Sequence, residues 1–345
     1  MKKYEHLYHV LYNQITSGAL ASGSLLPTEG ALSASHGVSR QTVRKALEML
    51  REAGLVYSVQ GSGTYVKSVE ILPSESRHIA VITTYFSEYI FPSILRGISE
   101  IAVENDYTVE IATTNNSTSR ERDILNQLQK KSIAGIIAEG TKAAIPNPNL
   151  ELYRQISRRG IPVVFINSFY PELIDRRIIS VTTDDYNGGR NIVHLLTKQG
   201  HTAIGGIFKS DDAQGIARYS GFLSALTEND IQFNDHYFIW YTSETRSLLS
   251  GTLLSDQILS ECSAIVCYND QVAEIVCSCL RRVNHSVRAI VSFDQNMNPD
   301  LVPDNVFFYS LPHPRKELGR VAAQKLVNLL NGQEESSAVL PWSTD

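Results

Sequence analysis

Apolar residues recur along this chain with two different periods, and the change of period divides it. Leu7, Val10, Leu11 and Ile15 return at helical spacing, which predicts an amphipathic helix over 4–17 ended by Gly18. Pro27-Thr28-Glu29 opens a short second helix: Thr28 is a cap, the acid suits the positive helix end, and Gly37 stops it. Ser39 is placed to cap a third helix whose buried stripe is Val43, Ala46, Leu47 and Leu50. Arg40, Gln41, Arg44, Lys45 and Glu48 lie off that stripe. After Gly54, Leu55–Val59 and Thr64–Val66 read as two strands joined by a hairpin tip, Gln60-Gly61-Ser62-Gly63.

From His78 onward the pattern changes to apolar strands alternating with helices. Strands are predicted over 79–84, 108–113, 134–138, 162–167, 203–208, 263–268 and 289–293. Helices are predicted near 93–105, 119–131, 149–159, 188–199, 214–229, 247–260, 270–283 and 315–331. Such alternation builds parallel sheets covered by helices, so the fold class is a small α+β head followed by an α/β body. Ligands of such sheets bind beyond the carboxyl ends of the strands. That rule selects Thr84-Tyr85, Thr114-Asn115-Asn116, Glu139, Asn167, the stretch after Phe208, Asn269-Asp270 and Asp294.

The charge follows the same division. The 345 residues carry a net charge of −5, yet residues 1–68 hold seven Lys/Arg against four Glu. A basic head on an acidic body suggests a nucleic-acid module joined to something else. The polar stretch 68–77, SVEILPSESR, reads as a linker between a head at 1–67 and a body at 78–345. No apolar run is long enough to span a membrane, and no apolar segment follows the N-terminal lysines as export requires. Cys262, Cys267, Cys277 and Cys279 sit in or near apolar segments, which suggests reduced thiols, a cytoplasmic protein and no metal site.

Two helices joined by a tight turn, with donors gathered at the start of the second, are what reading the major groove requires. Arg40 and Arg44 are the candidates for guanine edges, and Gln41 for adenine or phosphate. Ser39, Thr42, Lys45 and the backbone of Gly61, Ser62 and Gly63 are candidates for positioning phosphates, and Gln60 for a minor-groove edge. Glu29 has three readings: accepting from cytosine, orienting an arginine, or serving the helix dipole. A nucleotide-phosphate loop at Gly61 is excluded because no Gly-Lys-Ser/Thr follows. In the body, carboxylates, amides and arginine suit vicinal hydroxyls. Tyr85, Tyr89, Phe91, Phe169, Tyr170 and Trp240 offer ring surface for a sugar's C–H face, with core packing as the other use of each. No zincin, Walker or Gly-x-Ser-x-Gly motif occurs, so an enzyme is not expected.

Residues 4–67, centred on LPTEGALSASHGVSRQTVRKALEMLREAGLVYSVQGSGTYV, resemble the winged helix-turn-helix of the gluconate-repressor (GntR) family. That family usually has Arg soon after the Pro-Ser/Thr-Glu start, where this chain has Gly30. Residues 78–332 resemble the sugar-binding domain of the lactose/galactose-repressor (LacI/GalR) family, itself similar to periplasmic sugar-binding proteins. The resemblance is carried by VITTYFSEYIFPSILRGI, TTDDYNGGRNIVHLLTKQGHTAIGGI, ARYSGFLSAL, VCYND and IVSFD. It implies two subdomains, about 78–183 with 312–345 and about 187–308. It places Arg218, Asn269 and Asp294 on the effector; Tyr85, Glu139 and Asn167 join them as strand-end candidates, and Tyr89, Phe91 and Trp240 as ring surface. Asp184 and Asp185 become crossover and helix-cap residues. Members usually run on through a final strand, whereas 341–345 here is Pro-Trp-Ser-Thr-Asp, which leaves the packing of that sheet edge open. The pairing of this head with this body resembles the repressors of arabinose utilisation. It implies a homodimer on double-stranded operator DNA, no cofactor, and L-arabinose as the releasing effector. The alternative is the same architecture with another sugar, or with the sugar as corepressor.

Overall fold

The computed structural model describes residues 3–16, 19–21, 23–59, 61–67, 76–85, 90–251, 253, 254 and 256–342. They form two compact units, Met1–Pro73 and Ser74–Asp345.

The head contains α1 (Lys3–Thr16), α2 (Glu29–His36), α3 (Arg40–Glu52), β1 (Val56–Val59) and β2 (Gly63–Val66). Thr28 accepts a hydrogen bond from the Ala31 amide at 3.2 Å, and Ser39 one from the Thr42 amide at 3.2 Å. These caps satisfy amides that a helix start leaves without partners. Gly37 lies between them at φ 63°, a left-handed position that glycine adopts without strain. Leu7, Leu11, Leu32, Val43, Leu47, Leu50 and Val66 close the core. β1 and β2 pair antiparallel, from Val56 opposite Val66 to Val59 opposite Gly63.

The first lobe of the body carries β3 (His78–Thr83), α4 (Phe91–Glu104), β4 (Thr108–Thr113), α5 (Thr118–Leu128), β5 (Gly135–Glu139), α6 (Leu150–Arg158), β6 (Val163–Ile166) and β7 (Ile178–Thr183). The second carries α7 (Asp185–Lys198), β8 (Ile204–Lys209), α8 (Ala213–Glu228), β9 (Phe238–Tyr241), α9 (Asp256–Glu261), β10 (Ala264–Cys267), α10 (Asp270–Leu280), β11 (Ala289–Asp294) and β12 (Phe307–Pro312). The chain returns to the first lobe through α11 (Arg315–Leu330) and β13 (Ala338–Leu340). The sheets are wholly parallel, ordered β13-β7-β6-β5-β3-β4 and β12-β11-β10-β8-β9. Helices cover both faces, so the inner strands are buried along their whole length rather than alternating.

Several boundaries differ from expectation. β12 runs beside β11 as far as Pro312, and α7 starts at Asp185. The second lobe is therefore 185–312, wider than 187–308. The sheet edge left open by the sequence is filled: Ala338–Leu340 pairs with Val181–Thr183. Trp342 then packs back into the second lobe's core. The helix expected over 247–260 is a 3₁₀ turn, Arg246–Ser250, followed by α9, because Gly251 interrupts it. Of the expected linker, 68–75 lies outside the described residues. Ser76 and Arg77 are already tied to the body, through the Ser132 carbonyl at 2.7 Å and the Thr108 amide at 2.7 Å. Gly18 also lies outside the described residues. Among the described residues no helix is long and apolar enough to cross a membrane, and no cluster of three His, Cys, Asp or Glu is set to hold a metal.

Candidate functional site

On the head, Ser39, Arg40, Gln41, Arg44 and Lys45 are all exposed along the first two turns of α3, with Thr42 half-buried among them. Glu29 at the start of α2 accepts from Arg44 Nε at 2.8 Å. Of its three sequence readings, the geometry is that of a residue orienting an arginine. Lys45 is engaged with Glu48 at 2.8 Å. A Cβ at Gly30 would lie 3.8 Å from Arg40 Nη2, so the Arg40 guanidinium lies beside Gly30. Gly61, Ser62 and Gly63 are exposed at the wing tip; Gln60 lies outside the described residues.

In the body, one cleft lies between the lobes at the carboxyl ends of both sheets. Thr84, Tyr85, Phe91 and Glu139 line it from the first lobe; Lys209, Asp212, Gln214, Arg218, Tyr241, Tyr268, Asn269, Gln271 and Asp294 line it from the second, with His313 at the crossing between them. Its centre is Arg218, 2 % exposed. Helices α7 and α8 touch backbone to backbone: a Cβ on Gly189 would meet the Arg218 carbonyl oxygen at 2.0 Å, and one on Gly221 that of Tyr186 at 1.8 Å. That close crossing brings Asp185 Oδ1 to 2.8 Å from Arg218 Nε. Nη1 donates to the Tyr268 carbonyl. The guanidinium carbon lies 4.2 Å from the centre of the Phe293 ring, 4.8 Å from that of Tyr268 and 5.0 Å from that of Trp342. Burial alone would favour a neutral arginine, but Asp185 outweighs it, and the Arg218 pKa lies above the ordinary value.

Three further groups set the cleft's electrostatics. Glu139 accepts from the Thr84 amide at 2.9 Å, from the Thr84 hydroxyl, and from Asn167 Nδ2 at 2.9 Å. Burial nevertheless pushes its carboxyl up to about 7. Burial acts against the Lys209 ammonium, yet Asp212 and Asp211 hold its pKa above the usual range. His313 is pushed down to about 3 by burial, with Arg218 and Arg315 adding to it, so its imidazole is neutral. The result is a floor of charged and neutral donors and acceptors beside aromatic faces, suited to a polyhydroxylated ligand.

The predicted effector residues divide accordingly. Tyr85, Phe91, Glu139, Arg218, Asn269 and Asp294 line the cleft. Asn269 also caps α10, accepting from the Val272 amide at 3.1 Å. Two placements are corrected. Asn167 is not part of the lining; its backbone is left-handed at φ 59°, and its side chain donates to the Glu139 carboxylate. Trp240 points to the other face of β9, packing on Tyr219 at 4.6 Å. Strand alternation gives the cleft to Tyr241 instead. Phe169 and Tyr170 are packing residues of the first lobe, Tyr170 donating to the buried Glu121 at 2.7 Å. Tyr89 lies outside the described residues. Asp184 caps α7, accepting from the Asn187 amide at 3.1 Å, as expected; Asp185, expected to do the same kind of work, is the ion partner of Arg218. Sequence reasoning did not single out Tyr241, Tyr268, Gln271 or His313. Only the alternation within Phe238–Tyr241 carried a signal for the first of these.

At the rim the lobes meet directly. Asn116 Nδ2 donates to Ser243 Oγ at 2.6 Å and to Asp211 Oδ2 at 3.3 Å. Lys142 pairs with Glu244, whose carboxyl is drawn down to about 2 by the hydrogen bond from Lys142.

Comparison with known proteins agrees with both units. Residues 3–66 match the bacterial regulatory proteins of the gntR family, and residues 79–334 match the periplasmic binding protein domain. An arabinose metabolism transcriptional repressor of Halalkalibacterium halodurans is 34% identical, covering 96% of this chain and 90% of that protein. A protein of the same name from Geobacillus stearothermophilus is 34% identical, over 96% and 92%. Among solved structures, a periplasmic binding protein/LacI transcriptional regulator of Alkaliphilus metalliredigens complexed with D-xylulofuranose superposes with a TM-score of 0.64 at 22% identity, covering 78% of this chain and 97% of that one. Head, body and near-full-length likeness coincide: the chain belongs to the arabinose metabolism transcriptional repressor family, and it is a DNA-binding, sugar-responsive regulator, not an enzyme.

Proposed function

We propose that L-arabinose binds in the cleft of the body and releases a cytoplasmic homodimer of this chain from operator DNA. The observation that supports this reading is the division of the cleft between lobes. Glu139 belongs to the first lobe, Arg218 and Asp294 to the second, and His313 to a crossing between them. A ligand that bonds to all of them favours one arrangement of the lobes over any other, which is the condition for shifting an equilibrium. On the DNA side, Arg40 and Arg44 read base edges, Gln41 and Thr42 flank them, and the wing follows the backbone. Two such heads linked in a dimer turn two weak half-site contacts into one tight site.

The test is calorimetric titration of the chain with L-arabinose, D-xylose, D-ribose and D-galactose, with and without operator DNA. One-site binding selective for L-arabinose is expected, weakened by operator by the same factor by which the sugar weakens operator binding. Equal sugar affinity with and without operator overturns the release mechanism. Preference for another sugar keeps the repressor and replaces its effector.

A further inference from the structure

The first lobe's last strand, β13, is followed at once by a step into the second lobe. The Leu340 carbonyl accepts from the Asp184 amide at 2.9 Å, at the point where the first crossing leaves β7. Two residues later the Trp342 indole is buried, 6 % exposed. Its ring lies edge-on to Phe293 at 5.1 Å and to His313 at 5.1 Å, and its centre is 5.0 Å from the Arg218 guanidinium carbon. Room for the indole is made in α7, where a Cβ on Gly188 would meet Trp342 Nε1 at 2.9 Å. The indole N–H has no acceptor among the described residues. A buried donor without a partner costs stability, and phenylalanine would occupy most of this place without stranding one. Packing alone therefore does not account for tryptophan here. What tryptophan adds over phenylalanine is the stronger attraction of its face for a cation, and the cation beside it is Arg218.

We propose that Trp342 is a positioning residue of the effector cleft. Its indole backs the Arg218 guanidinium, whose Nε and Nη1 are tied to Asp185 and to the Tyr268 carbonyl, so that the group is held in place for the sugar. Trp342 follows β13 of the first lobe by two residues, but its ring is packed in the second lobe's core with Phe293, so it stays with Arg218.

This inference rests on the sugar reading of the cleft, and the experiment separates the two. Wild type, Trp342→Phe and Trp342→Ala are titrated with L-arabinose and the three comparator sugars; melting temperature and sugar-free operator affinity are measured alongside. Trp342→Phe is expected to melt no lower than wild type yet to bind the sugar several-fold more weakly. Trp342→Ala is expected to lose at least tenfold, with sugar-free operator affinity within twofold of wild type. The chain has two tryptophans, so in a Trp240→Phe background the emission of Trp342 is expected to change with sugar at the calorimetric midpoint. Unchanged sugar affinity in both Trp342 variants overturns the proposal, as does emission that ignores the sugar. So does an affinity loss that appears only where the melting temperature falls. A wild-type chain that binds none of the four sugars removes both readings at once, because the arginine would then have no sugar to be positioned for.

Discussion

Glu139 holds a nearly buried carboxyl in the cleft lining, among two donors of Thr84 and an asparagine amide. Those donors favour the ionised form, but burial outweighs them and raises the group from the ordinary 4.5 to about 7. Between these values the folded chain binds a proton that the unfolded chain has released. Stability therefore falls as pH rises through this window. His313 works in the opposite direction: its folded value is about 3 against an ordinary 6.5, so it adds stability as pH rises between them. The two are separated by difference. The melting temperature of wild type minus that of Glu139→Gln should decline from pH 4.5 to 7 and be level above; a flat difference across the range would show that burial does not raise Glu139. At this scale Asn269 and Asp294 were legible because strand ends and family motifs coincide on them, and Arg218, inside α8, through the family motif alone. Trp240 was misplaced by one residue, which in a strand reverses the face. His313 was not legible, since nothing local marks a residue whose role comes from a chain crossing.

Between elements, α2 prepares α3. Glu29 is fixed by the Thr28 cap at the start of one helix, and it holds Arg44 on the first turns of the next. The pair is exposed and contributes little to folding; its effect is to preset the direction of a long side chain before DNA arrives. Arg44→Ala should weaken specific operator binding by 10- to 100-fold, the range of about 1–3 kcal/mol carried by one good base contact. Glu29→Gln should cost less than tenfold, since it removes only the presetting. Both variants should keep wild-type sugar affinity; anisotropy titrations at one fixed salt concentration, paired with calorimetry, would check this, and a loss of sugar binding would contradict the division into modules. The three head helices were legible because caps, stripes and terminating glycines agree. In the body, the missed strands were the less regular ones. β9 and β12 are sheet edges, partly exposed and only four and six residues long. β13 has three residues. β7 follows β6 with only a 3₁₀ turn, Pro171–Leu173, between them, so the alternation of strand and helix that revealed the others passes over it.

Across the whole body, three crossings join the lobes, at 183–185, 312–315 and 340–342, and the rim contacts of Asn116 and Lys142 join them again on the opposite lobe surfaces. The crossings are covalent and permanent; the rim contacts are not. Their consequence concerns time rather than affinity. On the proposed reading, sugar exchange at Arg218 is expected to be paced by parting of the rim and to fall below the diffusion-limited rate. One of the rim links is an exposed ion pair, which dissolved salt weakens, so dissociation of bound sugar should quicken as ionic strength rises. Stopped-flow displacement should show that acceleration in wild type and its disappearance in Glu244→Gln, whose exchange is fast at every salt concentration. The rim would then act as a timer, setting how long the regulator remembers a pulse of sugar after the supply has gone.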